Sequence, residues 1–382
     1  MRVSDVTVIG AGIAGSSTAY YLAGDGVDVL LVEQHEPNAL ASGANAGSLH
    51  AQIQHEPFVE YGEDWARRYA AALPFFLESI ALWVAAEDEL GVDLGVSQVG
   101  GILVASSDAQ MRLIEAKADI EQAAGLEIDL LDRRSLLDLA PYVSERMIGG
   151  AFCPAEGKAN PLIAAPAFVD AALALGARVL QGCEVTGITA RAGGYVVHTR
   201  RGDISTARIV NAAGIDTARV TSFLGTPPDI RAYPIQLCVT EPVVPLVRHL
   251  VYAADGMLTL KQTAAGTILI GGGWPSDVDG MGRPQVGIES LSRNLALALD
   301  VVPALDAVKL VRSWAATVNG TSDWLPILGE VPDCRGFFLN HVPWMGFTGG
   351  PAGGRIVASL VQGREPPVDF DVGPFAPHRI RS

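Results

Sequence analysis

The sequence predicts an α/β protein in which a Rossmann-like domain of discontinuous segments is joined to an α+β domain built on an antiparallel sheet. Three observations carry this expectation. A glycine-rich turn, Gly10-Ala11-Gly12-Ile13-Ala14-Gly15, stands between a β-branched apolar run and a run of small helix-forming residues. Strand-like and helix-like stretches then alternate along the chain instead of falling into separate blocks. A chain of 382 residues is too long for one ordinary core, so two intertwined domains are expected.

Residues 5–10 (DVTVIG) have the short, unbroken apolar character of a strand buried on both faces. Residues 14–23 read as a helix and residues 27–33 (VDVLLVE) as a second buried strand, a parallel crossover unit. Between 58 and 90 the apolar positions recur at helical spacing with an interruption at Pro74, predicting one kinked helix or two shorter ones. A strand at 101–106, a helix at 109–124 and a short helical piece at 136–140 ended by Pro141 follow. Asn160-Pro161 is an N-cap followed by proline at the first helical position, opening a helix to about residue 175. Strands are expected at 177–180, 185–191, 195–199 and within 203–213, and a hairpin at 258–272. A helix at 288–299, a strand at 336–340, a helix at 353–361 and a proline-rich tail complete the chain.

Composition narrows the function classes. The apolar fraction is 49% and the charged fraction 18%, as in a soluble globular protein. The net charge of −15 disfavours phosphate backbones and anionic lipid heads, so nucleic-acid binding is not expected. Cys153, Cys183, Cys238 and Cys334 form no CxxC pair, and no histidine stands at metal-ligand spacing. This pattern predicts reduced thiols in a cytoplasmic protein and no zinc or iron–sulfur ligation by this chain. The apolar N-terminus carries Asp5 and three glycines and reads as a strand, not a signal peptide. No uninterrupted apolar stretch of about 18 residues exists, so no membrane span is expected.

The glycine turn has the chemistry of a dinucleotide site. Gly10 permits the tight turn, Gly12 lets the backbone approach a pyrophosphate, and Gly15 lets the helix pack close to the strand. The N–H groups of Ile13, Ala14 and Gly15 and the positive end of the helix dipole face the diphosphate. Glu33, with Gln34 after it, ends the second strand where a carboxylate accepts hydrogen bonds from ribose hydroxyls. An acid there disfavours a 2′-phosphate and hence NADP. Glycine spacing alone does not separate FAD from NAD.

The segment after the second strand does separate them. Ala41-Ser42-Gly43-Ala44-Asn45-Ala46-Gly47-Ser48-Leu49-His50 resembles the flavin-approaching loop of the D-amino-acid oxidase, glycine oxidase and sarcosine oxidase family. Its form is most similar to the catalytic subunits of heteromeric opine and hydroxyproline dehydrogenases. Gly182-Cys183-Glu184-Val185 resembles the family strand whose backbone contacts adenine, and Val210-Asn211-Ala212-Ala213-Gly214 the second adenine-side turn. Gly346-Phe347-Thr348-Gly349-Gly350-Pro351-Ala352-Gly353 resembles the C-terminal loop and helix that approach the flavin pyrimidine edge. The resemblance covers nearly the whole chain in order. It implies an FAD-binding domain of residues 1–57, 144–225 and 311–382 and a substrate-binding domain of residues 58–143 and 226–310. Ser42, Asn45, Ala46, Gly47 and Leu49 are then cofactor contacts. Backbone donors at Gly346, Phe347, Thr348 and Gly349 are expected to stabilise the charge of reduced flavin.

The resemblance implies oxidation of a small amine or amino acid by hydride transfer to flavin N5, followed by imine hydrolysis. In glycine-oxidase-like members an arginine clamps the substrate carboxylate. That position holds Val318 here, and a second expected arginine is replaced by Trp344. A larger or less acidic substrate, held partly by Trp344 and Trp324, is therefore expected. His50, Tyr252, Trp274 and Lys261 are the remaining pocket candidates, each with a plainer alternative: Trp274 would pack the domain joint, Tyr252 would be a half-buried strand residue, and Lys261 a solvated hairpin charge. The covalent-attachment cysteine of sarcosine oxidases has no counterpart near Ala315-Ala316, so FAD is expected to be noncovalent. The lysine that promotes oxygen reduction there corresponds to Leu269, which tilts the expectation toward a dehydrogenase. Iron–sulfur partner subunits would then carry electrons to an acceptor. An oxygen-using oxidase is the alternative within the class, and a flavin-binding subunit without turnover the alternative outside it.

Overall fold

The computed structural model describes residues 2–225 and 227–380; positions 1, 381 and 382 and Thr226, at the edges of expected domain segments, lie outside the described residues. β1 (Arg2–Ile9) passes through the glycine turn into α1 (Ile13–Gly24) and returns as β2 (Val29–Val32), parallel to β1 with Val8 opposite Leu31. Alternation along β1 sorts its side chains: Val6 and Val8 join the core beneath α1, and Ile9 joins the core on the other face.

An eight-stranded sheet extends this unit. Its main path runs Ile327–Glu330, Phe337–His341, Ile204–Asn211, β1, β2, Arg178–Leu180, parallel throughout except for the first pair. Val185–Arg191 and Gly194–Thr199 form a hairpin off Ile204–Asn211. α1 and the helices Pro161–Ala174 and Gly346–Val361 pack together on one face.

A second eight-stranded sheet runs Leu310–Thr321, Ile230–Thr240, Ile268–Gly271, Gly256–Gln262, Leu250–Ala253, Gly101–Ala105, Gly149–Cys153, Asp129–Asp132. It is antiparallel apart from the pairing of Leu250–Ala253 with Gly101–Ala105. Val251, Leu260, Ile270 and Cys238 point from it to a core shared with the helix Ile288–Val301. Tyr252, Lys261 and Leu269, one residue out of step, therefore project from the opposite face. Gly149–Cys153 and all but the first residue of Leu310–Thr321 lie within segments expected in the cofactor domain, yet hydrogen-bond into this second sheet.

One expectation is corrected. The glycine-rich stretch 346–353 is not a loop; the helix Gly346–Val361 begins at its first residue. Its glycines serve close packing: a Cβ at Gly350 would stand 2.6 Å from Ile13 and one at Gly354 2.4 Å from Ser17 Oγ. The helical run after His55 is interrupted at Pro74 as expected, with a 3-10 turn before it, and again at Gly62, whose φ is 76°. By length and hydropathy alone His55–Leu90 would pass for a membrane span, yet 61% of its apolar window is buried inside the protein, as in a core helix.

Candidate active site

At the end of β1 the chain turns with Gly10 at φ 100°. The turn is held by Gly10 N–H donating to Val32 O (2.8 Å) and Ala212 N–H to Ile9 O (2.9 Å). A Cβ at Gly10 would stand 2.6 Å from Ala212 O, one at Gly12 2.7 Å from Ser42 Oγ, and one at Gly15 1.9 Å from Gly10 O. The Ile13 N–H donates to Ser42 Oγ at 3.0 Å, while Ala14 and Gly15 present N–H groups in a first turn that has no intrahelical acceptors.

Glu33 is placed differently from the simplest expectation. Its Oε2 accepts the Ala11 N–H and its Oε1 the His35 N–H, both at 2.8 Å. It pins the glycine turn to β2, and its remaining lone pairs face the cavity it lines. Gln34 donates to Asp216, which also holds Arg219, and Arg219 donates to the carbonyl of Val185.

These groups line one cavity of about 410 Å³, within the range of small-molecule sites. At one end stand Val185, Ala213, Gly214 and Glu33, in the middle Gly12, Ala14, Ser42 and Asn45, and at the other end Gly346, Phe347, Val318 and Trp344. Both positions that lack the expected arginine thus border the cavity. Gly15, Ala46, Gly47, Leu49, Thr348 and Gly349 lie off its lining, as do His50, Tyr252 and Trp274. Gly47 is instead required by packing, since a Cβ there would stand 2.1 Å from Ala159 O. Asn45 brackets the loop, donating to Ala41 O and Ser42 O and accepting from Gly47 N–H.

Thr348 is wholly buried, and its hydroxyl is already engaged: it donates to Ser48 O (3.2 Å) and accepts the His50 N–H (3.0 Å). Its carbonyl accepts from Ser79 Oγ and Trp83 Nε1. Thr348 therefore locks the 41–50 loop to the last helix, and Gly349 packs on Phe75. The N–H groups of Gly346 and Phe347 in the first turn, at the positive end of the helix dipole, remain the donors facing the cavity.

Past the loop, His50 Nδ1 and the Tyr252 hydroxyl meet at 2.6 Å. Burial and the Lys261 charge hold the His50 imidazole down, to about 3. Lys261 is 2% exposed, so the reading of it as a solvated charge is corrected. Its Nζ donates to Ser48 Oγ at 2.5 Å, and no carboxylate pairs with it among the described residues. Burial, then Lys158, pushes its ammonium down to about 7. Lys261 stands directly across the strand pair from Leu269.

Trp344 and Trp324 adopt positive φ of 55° and 65°, a strained backbone for bulky residues. With Tyr233 they form an aromatic cluster with centroids 5.3 to 5.9 Å apart. Trp274 stands apart from it: its indole N–H is taken by Met257 O and its ring lies under Arg293. It packs a joint between elements, the plainer of its two readings. Sequence reasoning missed Tyr233, Asp216, Arg219 and Glu156. Tyr233 and Glu156 carried no local signal, because a tyrosine in a strand and a glutamate between strands are usually unremarkable surface or core choices.

The family model described as FAD dependent oxidoreductase (DAO) matches residues 5–360. Glycine oxidase of Geobacillus kaustophilus is 27% identical over 97% of this chain and 96% of its own length. The beta chain of the sarcosine oxidase of Rhizobium meliloti, named as a subunit, is 28% identical over 94% of this chain and 84% of its own. A subunit of the opine oxidase of Agrobacterium tumefaciens is 28% identical over 88% and 87%. The crystal structure of the Geobacillus kaustophilus glycine oxidase superposes with a TM-score of 0.84 at 26% identity, covering 98% of both chains.

Proposed function

The chain belongs to the FAD-dependent oxidoreductase family, and on that premise we propose that it oxidises the C–N bond of a small amine or amino acid. The observation that carries this reading is one continuous cavity running from the glycine turn of α1 to Val318 and Trp344. His50 and Tyr252, paired at 2.6 Å, stand at the end of the same loop, just off that lining. FAD, when bound, supplies the hydride acceptor. In this reading the N–H groups of Ala14 and Gly15 take the diphosphate. Glu33 and Gln34 hold the adenosine ribose, and Val185, Ala213 and Gly214 flank the adenine. Gly346 and Phe347 offer N–H groups to the charge that reduction creates. The cofactor is noncovalent, and the first sheet with its helices forms the cofactor domain and the second sheet the substrate domain. Gly149–Cys153 and Leu310–Thr321 then fall in the latter. The buried thiols of Cys153, Cys183 and Cys238 are in keeping with a cytoplasmic site.

The substrate is less acidic than glycine or larger than it, because neither Val318 nor Trp344 can clamp a carboxylate, while Trp344, backed by Trp324 and Tyr233, offers an apolar and cation-accepting wall. A secondary amine of opine or hydroxyproline type suits that wall. Two relatives are named as subunits, so electron-carrying partner subunits are part of this proposal. Anaerobic mixing of the yellow protein with a panel of primary, secondary and N-methylated amines tests it. Bleaching by secondary amines in preference to glycine is expected; a flavin that no amine bleaches would leave a cofactor-binding subunit without turnover.

One observation favours the oxygen-using alternative. Leu269 removes the expected lysine, but Lys261, across the strand pair from it, brings a buried amine to the same face. Below about pH 7 this group is an ammonium and above it a neutral amine. If it assists oxygen reduction by its charge, peroxide release per reduced flavin falls as pH rises through 7, and Lys261→Met flattens that dependence at the low level. Absence of peroxide at every pH, with flavin reduction intact, assigns the protein as a dehydrogenase.

A further inference from the structure

We propose that Glu156 is a positioning residue that determines which nitrogen of His50 accepts a proton from the substrate; this rests on the amine-oxidising reading above. Glu156 lies between the strands Gly149–Cys153 and Gly157–Lys158 and is wholly buried. Gly101 makes room for it, since a Cβ there would stand 1.8 Å from Glu156 Oε2 and 3.1 Å from the Tyr252 ring.

Every fixed group around this carboxylate is a donor. Oε1 accepts the N–H groups of Ala51 (2.8 Å) and Gln52 (2.9 Å), the two residues after His50. Oε2 accepts Gln52 Nε2 at 3.0 Å. Gln52 cannot turn its amide over, because its Oε1 accepts Lys117 Nζ at 3.2 Å, and Lys117 is paired with Glu121 at 2.7 Å. The Tyr252 ring packs beside Glu156 Oε2 in the space that Gly101 leaves, and its hydroxyl feels the carboxylate electrostatically. A carboxylate ringed by donors draws the Tyr252 O–H toward itself as well, the phenol staying protonated, so its oxygen is left to accept from His50 Nδ1–H across their 2.6 Å contact. The polarity of the chain is thereby set: Nδ1 carries the hydrogen, and Nε2 keeps its lone pair. Among the described residues no group bonds Nε2. Burial raises the affinity of Glu156 for a proton, and the three N–H donors oppose that.

The chemistry needs such an acceptor. An amine that arrives as an ammonium must lose one N–H proton, with that bond's electron pair staying on nitrogen. The α-hydrogen then leaves as hydride with its own bonding pair, the nitrogen lone pair closes the C=N bond, and water hydrolyses the iminium to carbonyl and amine. His50 Nε2 takes the proton. The charged and titratable groups around it are Lys261, with Lys158 behind it; Glu156 and Cys153 around Tyr252; and Lys117 and Glu121 on the helix Asp108–Ala123. With a cation close by and little proton affinity, His50 passes the proton on to water.

Glu156→Gln tests this with almost no change of shape. Its carboxamide oxygen would keep the two backbone N–H bonds; its NH₂ would give up the bond from Gln52 Nε2 and face Tyr252, reversing the chain and turning His50 into the Nε2–H tautomer. Nitrogen NMR of histidine-labelled holoenzyme, with His50→Asn to assign the signal, reads the tautomer without any substrate. Nδ1–H in the natural protein and Nε2–H in the variant are expected, at unchanged FAD content. Flavin reduction by an amine should fall about 100-fold near neutral pH and converge with the natural protein above the pKa of the free substrate ammonium. Tyr252→Phe leaves the three N–H bonds of Glu156 in place and should show the same pH-confined loss, which guards against a Glu156→Gln protein that misfolds. An Nε2–H tautomer in the natural protein, or a rate defect equal at all pH, overturns the proposal. Failure of every amine to bleach the natural protein would count against the proposed activity alone, since the tautomer would still judge Glu156.

Discussion

Gly12→Val protein is expected to purify folded and colourless, with less than a tenth of the FAD content of the natural protein. Gly12 has φ −77° and ψ −176°, a backbone that any residue adopts, so valine brings no conformational strain. The obstruction is spatial. The first side-chain carbon already stands 2.7 Å from Ser42 Oγ, the group that accepts the Ile13 N–H, and two further methyl groups would fill the approach to the N–H groups of Ala14 and Gly15. Loss of those donors and of close contact with the helix end should weaken FAD binding about 100-fold or more, roughly 3 kcal/mol. Gly15 makes the contrast. There a Cβ would stand 1.9 Å from the carbonyl oxygen of Gly10, backbone against backbone, and substitution would break the fold itself. Flavin absorbance per polypeptide together with far-UV circular dichroism separates the two outcomes. Full FAD occupancy in folded Gly12→Val protein would refute the assigned cradle.

The difference between these glycines shows what was legible in the sequence. The strand–turn–helix around Gly10, Gly12 and Gly15 is a local pattern in which three glycines have three separate steric causes, and those causes are readable without coordinates. The same holds for the Asn160 cap, whose side chain accepts the Leu162 N–H. The second sheet was read only in part. Ile230–Thr240 contains Pro234, which argues against a ladder position, yet Pro234 is accommodated opposite Thr317. Gly149–Cys153 is too rich in small residues to announce a strand. The C-terminal glycines were read as a loop because glycine usually relaxes dihedrals; here it shortens the distance between helices, a tertiary cause that no local pattern reveals. Among the residues of the proposed site, His50 is marked in the sequence by its place directly after the loop 41–49. Glu156 is not, because its meaning arises only when the folded chain brings Gly101, Tyr252 and residues 51–52 around one carboxylate.

Lys117→Met should be the most destabilising single change in the polar network behind the site, by about 3 to 5 kcal/mol. Lys117 and Glu121 are both wholly buried and 2.7 Å apart, one helical turn from each other. Removing the lysine leaves a carboxylate with the Ile53 N–H as its neighbour (2.7 Å) and with Oε2 unbonded among the described residues. Burial already raises the proton affinity of Glu121, and Lys117 and the Ile53 N–H are what restrain it. Without Lys117 the folded protein therefore binds a proton at Glu121 more readily than the unfolded chain does. In the range between the two pKa values the folded state holds more protons, so stability rises as pH falls. The deficit of Lys117→Met should accordingly shrink between pH 8 and pH 5, as followed by guanidinium unfolding. Lys117→Met combined with Glu121→Gln keeps an acceptor for Ile53, removes the orphaned charge and should recover most of the loss at every pH. A single variant as stable as the natural protein at pH 8, or a deficit that grows on acidification, would mean that Glu121 is already neutral and that the ion pair contributes nothing to holding residues 51–53 in place.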